Sequence, residues 1–100
     1  MVKLVALFKK PPNANSFEEH YQNVHIPLIK VMPGIKKIEL SKITGAPMSQ
    51  SQFYRMAEMY FENQQALNAS MMSSEGITAA KDLMSFAKDV VQMFFAEVED

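Results

Sequence analysis

The chain contains no cysteine. That excludes a disulfide scaffold, a thiolate zinc site and a cysteine nucleophile. It carries no surplus of basic charge: ten Lys and Arg stand against eleven Asp and Glu, for a net charge of −1. Nothing there would neutralise a phosphate backbone, so nucleic acid is not an expected partner. Long apolar runs are missing too. Leu4–Phe8 is bracketed by Lys3, Lys9 and Lys10, and no small-residue cleavage site follows it. Such a run is far too short to span a bilayer or to serve as a leader, so a soluble, cytoplasmic chain with no membrane partner is expected. There is no glycine-rich phosphate loop, no paired-carboxylate motif and no nucleophile elbow. What remains is 48% apolar and 21% charged, ordinary globular composition. The 100 residues suffice for a single domain, 1–100, with a thin core. Methionine is unusually frequent at nine residues. It fills irregular apolar space and lines adaptable binding surfaces.

Val2–Lys9 is apolar on both faces at its centre, the pattern of a strand covered on both sides. Lys10–Asn15, with two prolines and two asparagines, cannot continue a central strand and reads as a loop. Ser16-Phe17-Glu18-Glu19 fits a capping box and opens a helix that stops at Met32-Pro33-Gly34. Phe17, Tyr21, Val24, Leu28 and Val31 fall within about 40° of one line on the helical wheel, and that stripe is expected to face the core. Pro27 frees the carbonyl of Asn23 and disfavours helical geometry at Ile26, predicting an irregular turn around 24–27. Ile35–Ile43 and Phe53–Glu62 read as strands. Asn63 caps a helix from Gln64 to about Met72. Ser73-Ser74-Glu75-Gly76 interrupts it, and a further helix covers Ile77–Ala87. Val90–Val98 is the last strand.

The order β-α-β-β-α-β predicts an α+β, ferredoxin-like fold: a four-stranded antiparallel sheet with the helices on one face. Strands one, three and four are apolar on both sides, so the uncovered face needs an apolar partner. A second copy of the chain is the economical one. Two sheets packed face to face would make a homodimeric α+β barrel with Met- and aromatic-lined space inside.

The first helix and its exit carry the most distinctive residues: Phe17, Tyr21, then His25-Ile26-Pro27-Leu28, then Pro33-Gly34 before a strand. With Ser74-Glu75-Gly76 and Lys81-Asp82-Leu83 following in order, nearly the whole chain resembles the EthD family, small dimeric α+β barrel proteins named for a member encoded beside an ether-degrading monooxygenase system. The resemblance implies a small apolar pocket and a homodimer. It implies a cofactor-free enzyme of oxidoreductase, isomerase or cyclase type, acting on a small hydrophobic compound in ether or aromatic degradation. A non-catalytic ligand-binding protein, or one accessory to a monooxygenase, is the alternative. The family's most repeated polar residue matches His25. Some related isomerases add a cysteine, which is absent here.

Read on its own, His25 sits beside the weakest turn of the helix. One ring nitrogen can bond the local backbone while the other faces a cavity, the arrangement of a general acid or base near neutral pH. A half-buried structural histidine is the plainer reading. His20, five residues earlier, falls on the opposite edge of the apolar stripe, at the surface edge of the helix. The two do not form the i, i+4 pair that chelates a metal, and no metal or cofactor is expected. Tyr21, Tyr60, Phe61, Met93 and Phe95 are candidate substrate-binding residues, with core or interface packing as the plainer reading of each. Arg55, the one arginine, is expected to pair with Glu39 or Glu58 if it faces inward.

Overall fold

A computed structural model of the chain describes residues 1–99. Its strands are β1 (Val2–Lys9), β2 (Lys37–Lys42), β3 (Phe53–Phe61) and β4 (Val91–Glu97). They form one antiparallel sheet in the order β2-β3-β1-β4. The helical segments are α1 (Ala14–His20), a π-helical turn (Tyr21–His25), α2 (Ile26–Lys30), α3 (Gln64–Met72) and α4 (Ser74–Ala87). This is the ferredoxin-like α+β arrangement expected from the sequence. No described helix is long and apolar enough to cross a membrane.

Side chains alternate across a strand. On central β1, Leu4, Ala6 and Phe8 face the helices, opposite Met59, Ala57 and Arg55 of β3 and Phe95, Met93 and Val91 of β4. Phe8, Phe17 and Tyr21 interlock as an aromatic group in this layer, with ring centroids 5.4–5.6 Å apart.

The helix boundaries differ from expectation in two places. Asn13, not Ser16, caps α1: its extended backbone lets Oδ1 accept from the Ser16 N–H at 3.1 Å. Asparagine is as good a cap as serine, and the earlier one wins by adding residues to the helix. Helix α4 starts at Ser74 rather than Ile77, because Ser73 alone makes the break. Its Oγ accepts from the Gly76 N–H at 3.0 Å and donates to the Ser70 carbonyl at 2.6 Å. Asn63 caps α3 as expected, accepting from the Ala66 N–H at 2.8 Å.

Arg55 pairs with neither Glu39 nor Glu58. Its guanidinium holds both carboxylate oxygens of Glu18 at 2.8 Å, and the Tyr54 hydroxyl donates to the same group at 2.6 Å. A register shift between Phe8 and Lys9 leaves Tyr54 as the extra residue of β3. Such a bulge turns neighbouring side chains toward one face, so Tyr54 and Arg55 both reach α1. The Arg55 guanidinium and the Tyr54 hydroxyl hold the Glu18 carboxyl down at about 2. A depressed carboxylate pKa adds stability that is complete above the unfolded value of about 4.5 and is lost as pH falls through 2. Glu18→Gln is expected to cost about 2 kcal/mol at pH 7. In paired thermal melts the gap to the wild type should close between pH 4.5 and pH 2.

The sheet face turned away from the helices is apolar over part of its width, not all of it. Val5, Leu7, Met56, Phe94 and Ala96 form a strip across β3, β1 and β4, and Phe94 is 46% exposed. Toward β2 the face is polar: Lys3 pairs with Glu58 at 2.6 Å, and the Tyr60 hydroxyl donates to Glu39 at 2.6 Å.

Candidate functional site

Pro27 has no N–H to offer the Asn23 carbonyl. The helix answers one turn earlier by widening rather than by bending Ile26 out of helical geometry, which stays at φ −60°, ψ −42°. Across Tyr21–His25 the ladder becomes i→i+5, and the Ile26 N–H bonds the Tyr21 carbonyl. A π turn inserts one residue into the helical count. Upstream of it Phe17 and Tyr21 are buried as expected. Downstream the buried set moves on by one, so that Val24 is 42% and Val31 61% exposed while His25, Ile29 and Met32 are buried in their place. That single step carries His25 inside.

It also brings the two histidines together. Residues five apart lie on opposite edges of an α-helix but stack in a π turn. His20 and His25 converge on Asp82 of α4, with His25 Nδ1 3.0 Å from Oδ2 and His20 Nε2 2.8 Å from Oδ1. Phe86 packs on both imidazoles, at 4.5 Å and 5.1 Å between centroids. An ionised carboxylate only accepts hydrogen bonds, so a neutral His25 carries its proton on Nδ1 and keeps a lone pair on Nε2. Burial pushes the His25 pKa below its ordinary value, and the hydrogen bond and charge of Asp82 oppose that without cancelling it. Burial thus favours the neutral ring, and a carboxylate orients it.

His25 lines an apolar cavity of about 140 Å³ between the sheet and helices α2 and α4. Five of the nine methionines surround it: Met32, Met59, Met71, Met84 and Met93. The rest of the wall is aliphatic or glycine, and His25 is the one lining side chain that hydrogen-bonds strongly. No protein partner is found for His25 Nε2 among the described residues.

Of the residues predicted from sequence, the structure brings His25 and Met93 to this cavity. Phe95 shares the Met93 face of β4 but stands 53% exposed beyond the lining. Tyr21 is fully buried in the aromatic group, stacked on Phe17, and its hydroxyl has no partner among the described residues. Burial pushes that hydroxyl up to about 12. Phe61 is fully buried in the core and lies outside the lining. Tyr60 lies on the opposite face of the sheet, bonded to Glu39. Three of the six candidates thus lie in the core or on the far face of the sheet. Asp82 was not singled out by sequence reasoning, although Lys81-Asp82-Leu83 stood in the family pattern. The α-helical wheel hid it by separating the histidines it joins. No group of three or more potential ligands suited to a metal ion occurs among the described residues.

A family model described as the EthD domain matches residues 10–89. The chain belongs to the EthD family. A crystal structure of an ethyl tert-butyl ether D (EthD) family protein from Bacillus halodurans C-125 is 38% identical, with a TM-score of 0.96 and 99% of both chains covered. An uncharacterised 11.0 kDa protein of the thcB–thcC intergenic region of Rhodococcus erythropolis is 29% identical over 99% of this chain and 96% of its own. Two more distant structures share the fold. A dimeric, ferredoxin-like protein from Bacteroides fragilis NCTC 9343 has a TM-score of 0.67 at 18% identity, covering 97% of this chain and 95% of its own. SnoaB, a cofactor-independent oxygenase from Streptomyces nogalater, has a TM-score of 0.71 at 12% identity, covering 99% and 93%.

Proposed function

We propose that this EthD protein is a cofactor-free enzyme in which His25 takes a proton from a small hydrophobic compound held in the methionine-lined cavity. One observation carries the reading: a buried histidine is tied through Nδ1 to Asp82 and lines an apolar cavity with Nε2 unpaired. In the step, an O–H or C–H bond of the substrate breaks and an N–H bond forms at Nε2. The substrate is left as an enolate or phenolate, and the imidazolium is held against the Asp82 carboxylate. Return of that proton to a different atom makes the reaction an isomerisation. Attack of the enolate or phenolate on an electrophilic carbon of the same molecule, with the proton returned to the resulting oxyanion, makes it a cyclisation. The name of the 38%-identical relative, ethyl tert-butyl ether D, is the support for a place in ether or aromatic degradation. The working unit in this proposal is a homodimer of single-domain chains closed over the apolar strip of Val5, Leu7, Met56, Phe94 and Ala96, with the polar flank toward β2 at its margin.

The test is deuterium uptake from heavy water into small phenols and ketones, followed by NMR. The wild-type protein should exchange a carbon-bound acidic proton, ortho on a phenol or α on a ketone, about 10²–10⁴ times faster than His25→Ala, with an unchanged sedimentation coefficient. Equal exchange by both proteins would leave His25 without a proton-transfer role. The apolar lining favours retention of an apolar ligand with or without chemistry. In that case a non-catalytic binding or accessory protein is the surviving reading.

A further inference from the structure

We infer that the ligand of this cavity is a neutral molecule about the size of one six-membered ring, bearing a single hydroxyl that donates to His25 Nε2. The inference rests on the proposed function for its site and deepens it by naming the class of compound.

Three observations converge on that class. The first is polarity. His25 is the one lining side chain that bonds strongly, and its cavity nitrogen is an acceptor because Asp82 holds the proton on Nδ1. A matching ligand must bring a donor. A second polar group on the ligand would meet thioethers and aliphatic carbons and go unpaired, which disfavours it at least tenfold.

The second is charge. The wall offers no cation. The start of α4 lies against the cavity at Gly76, the one residue of that first turn in the lining, and the amides of Gly76 and Ile77 are already used: the Gly76 N–H donates to Ser73 Oγ at 3.0 Å and the Ile77 N–H to the Ser73 carbonyl at 2.9 Å. A carboxylate or phosphate would be stripped of water with nothing in exchange.

The third is size and surface. The cavity is open on one side, and its volume of about 140 Å³ is of the order of the ~150 Å³ at which an enclosed apolar protein cavity takes up benzene. Methionine sulfur makes favourable contacts with ring edges, and its unbranched chain adapts to a planar guest. Met71, Met84 and Met93 both line the cavity and are about two-fifths exposed, so the way in passes between flexible side chains.

The experiment uses the full chain labelled with 13C at the methionine methyls. It is titrated with phenol, benzene, anisole, catechol, benzoate and 1-naphthol. Phenol should shift the methyl signals of Met59, Met84 and Met93, and bind at least tenfold more tightly than anisole or catechol. Benzene should bind more weakly than phenol, and benzoate and 1-naphthol should leave the signals in place. In Asp82→Asn, where His25 Nε2 becomes a donor, the preference for phenol over anisole should fall at least fivefold. Catechol or benzoate matching phenol would overturn the single-hydroxyl class, and 1-naphthol matching it would overturn the size. No binding by any of the six would overturn both. If that variant misfolds, the wild-type series still decides. A series that behaves as expected without His25-dependent deuterium exchange would sink the proton-transfer reading and leave the ligand class standing.

Discussion

Asp82→Asn should fold and form the same cavity, yet lose about 10²–10⁴-fold of any His25-dependent proton exchange. The side chain keeps its shape, but one oxygen that accepted from His25 becomes an amide that can donate. A donor facing Nδ1 forces the imidazole proton onto Nε2, and the cavity nitrogen changes from base to acid. The signature is a reversal of the His25 tautomer in 15N spectra, which loss of packing alone would not produce. In the wild type, activity should be flat near neutrality and fall on acidification, because a neutral ring is the working form. The same linkage affects stability. The folded pKa of His25 lies below the unfolded value, so the unfolded chain binds the extra proton first as pH falls. The protein should therefore lose stability progressively below about pH 6.5, the unperturbed histidine value. Wild-type exchange that rises toward pH 5 would exclude a neutral His25 as the base.

The order of strands and helices was legible because each strand is a short apolar-rich run bounded by turn residues and each helix has a punctuating residue. Asn63, Ser73 and Pro33-Gly34 act through local chemistry that needs no tertiary information. The candidate site was only half legible. His25 was found from its place beside Pro27 and from the family resemblance, whereas the wheel built on 100° per residue sent Val24, Leu28 and Val31 inward and set His20 apart. A π turn breaks that arithmetic: one additional residue in the coil replaces Val24 by His25, Leu28 by Ile29 and Val31 by Met32. Pro27 signalled an irregularity without saying that the helix would widen upstream of it. Arg55 was misassigned for a related reason. A bulge at Tyr54 changes which residues share a face, and its position depends on pairing with β1 rather than on the local sequence. Both are one-residue slips, and in both the inserted residue lies next to a polar side chain withdrawn from solvent, His25 fully and Arg55 in part.

Gly76→Ala should be strongly destabilising, lowering stability by about 3 kcal/mol and the melting temperature by roughly 12–24 °C. Helix propensity alone points the other way, since alanine in a helix is favoured over glycine by about 1 kcal/mol. Sterics decide the sign. A Cβ at position 76 would lie 2.1 Å from the Ser70 carbonyl oxygen and 2.8 Å from that of Met71. The Ser70 oxygen cannot retreat cheaply, because it accepts from both the amide and the hydroxyl of Ser73, at 3.2 Å and 2.6 Å. Relief requires the start of α4 to move off the end of α3. Gly76 and Met71 both line the cavity, so that movement distorts its wall and should weaken phenol binding in parallel with the fall in stability. Lys81→Gly against Lys81→Ala, on the exposed side of α4 and outside the cavity lining, makes the matching control, because it changes propensity without creating a backbone contact at the corner. A Gly76→Ala protein that melts at or above the wild-type temperature would mean that the α3–α4 corner yields freely. Close packing of these two backbones would then not be what sets the cavity's shape.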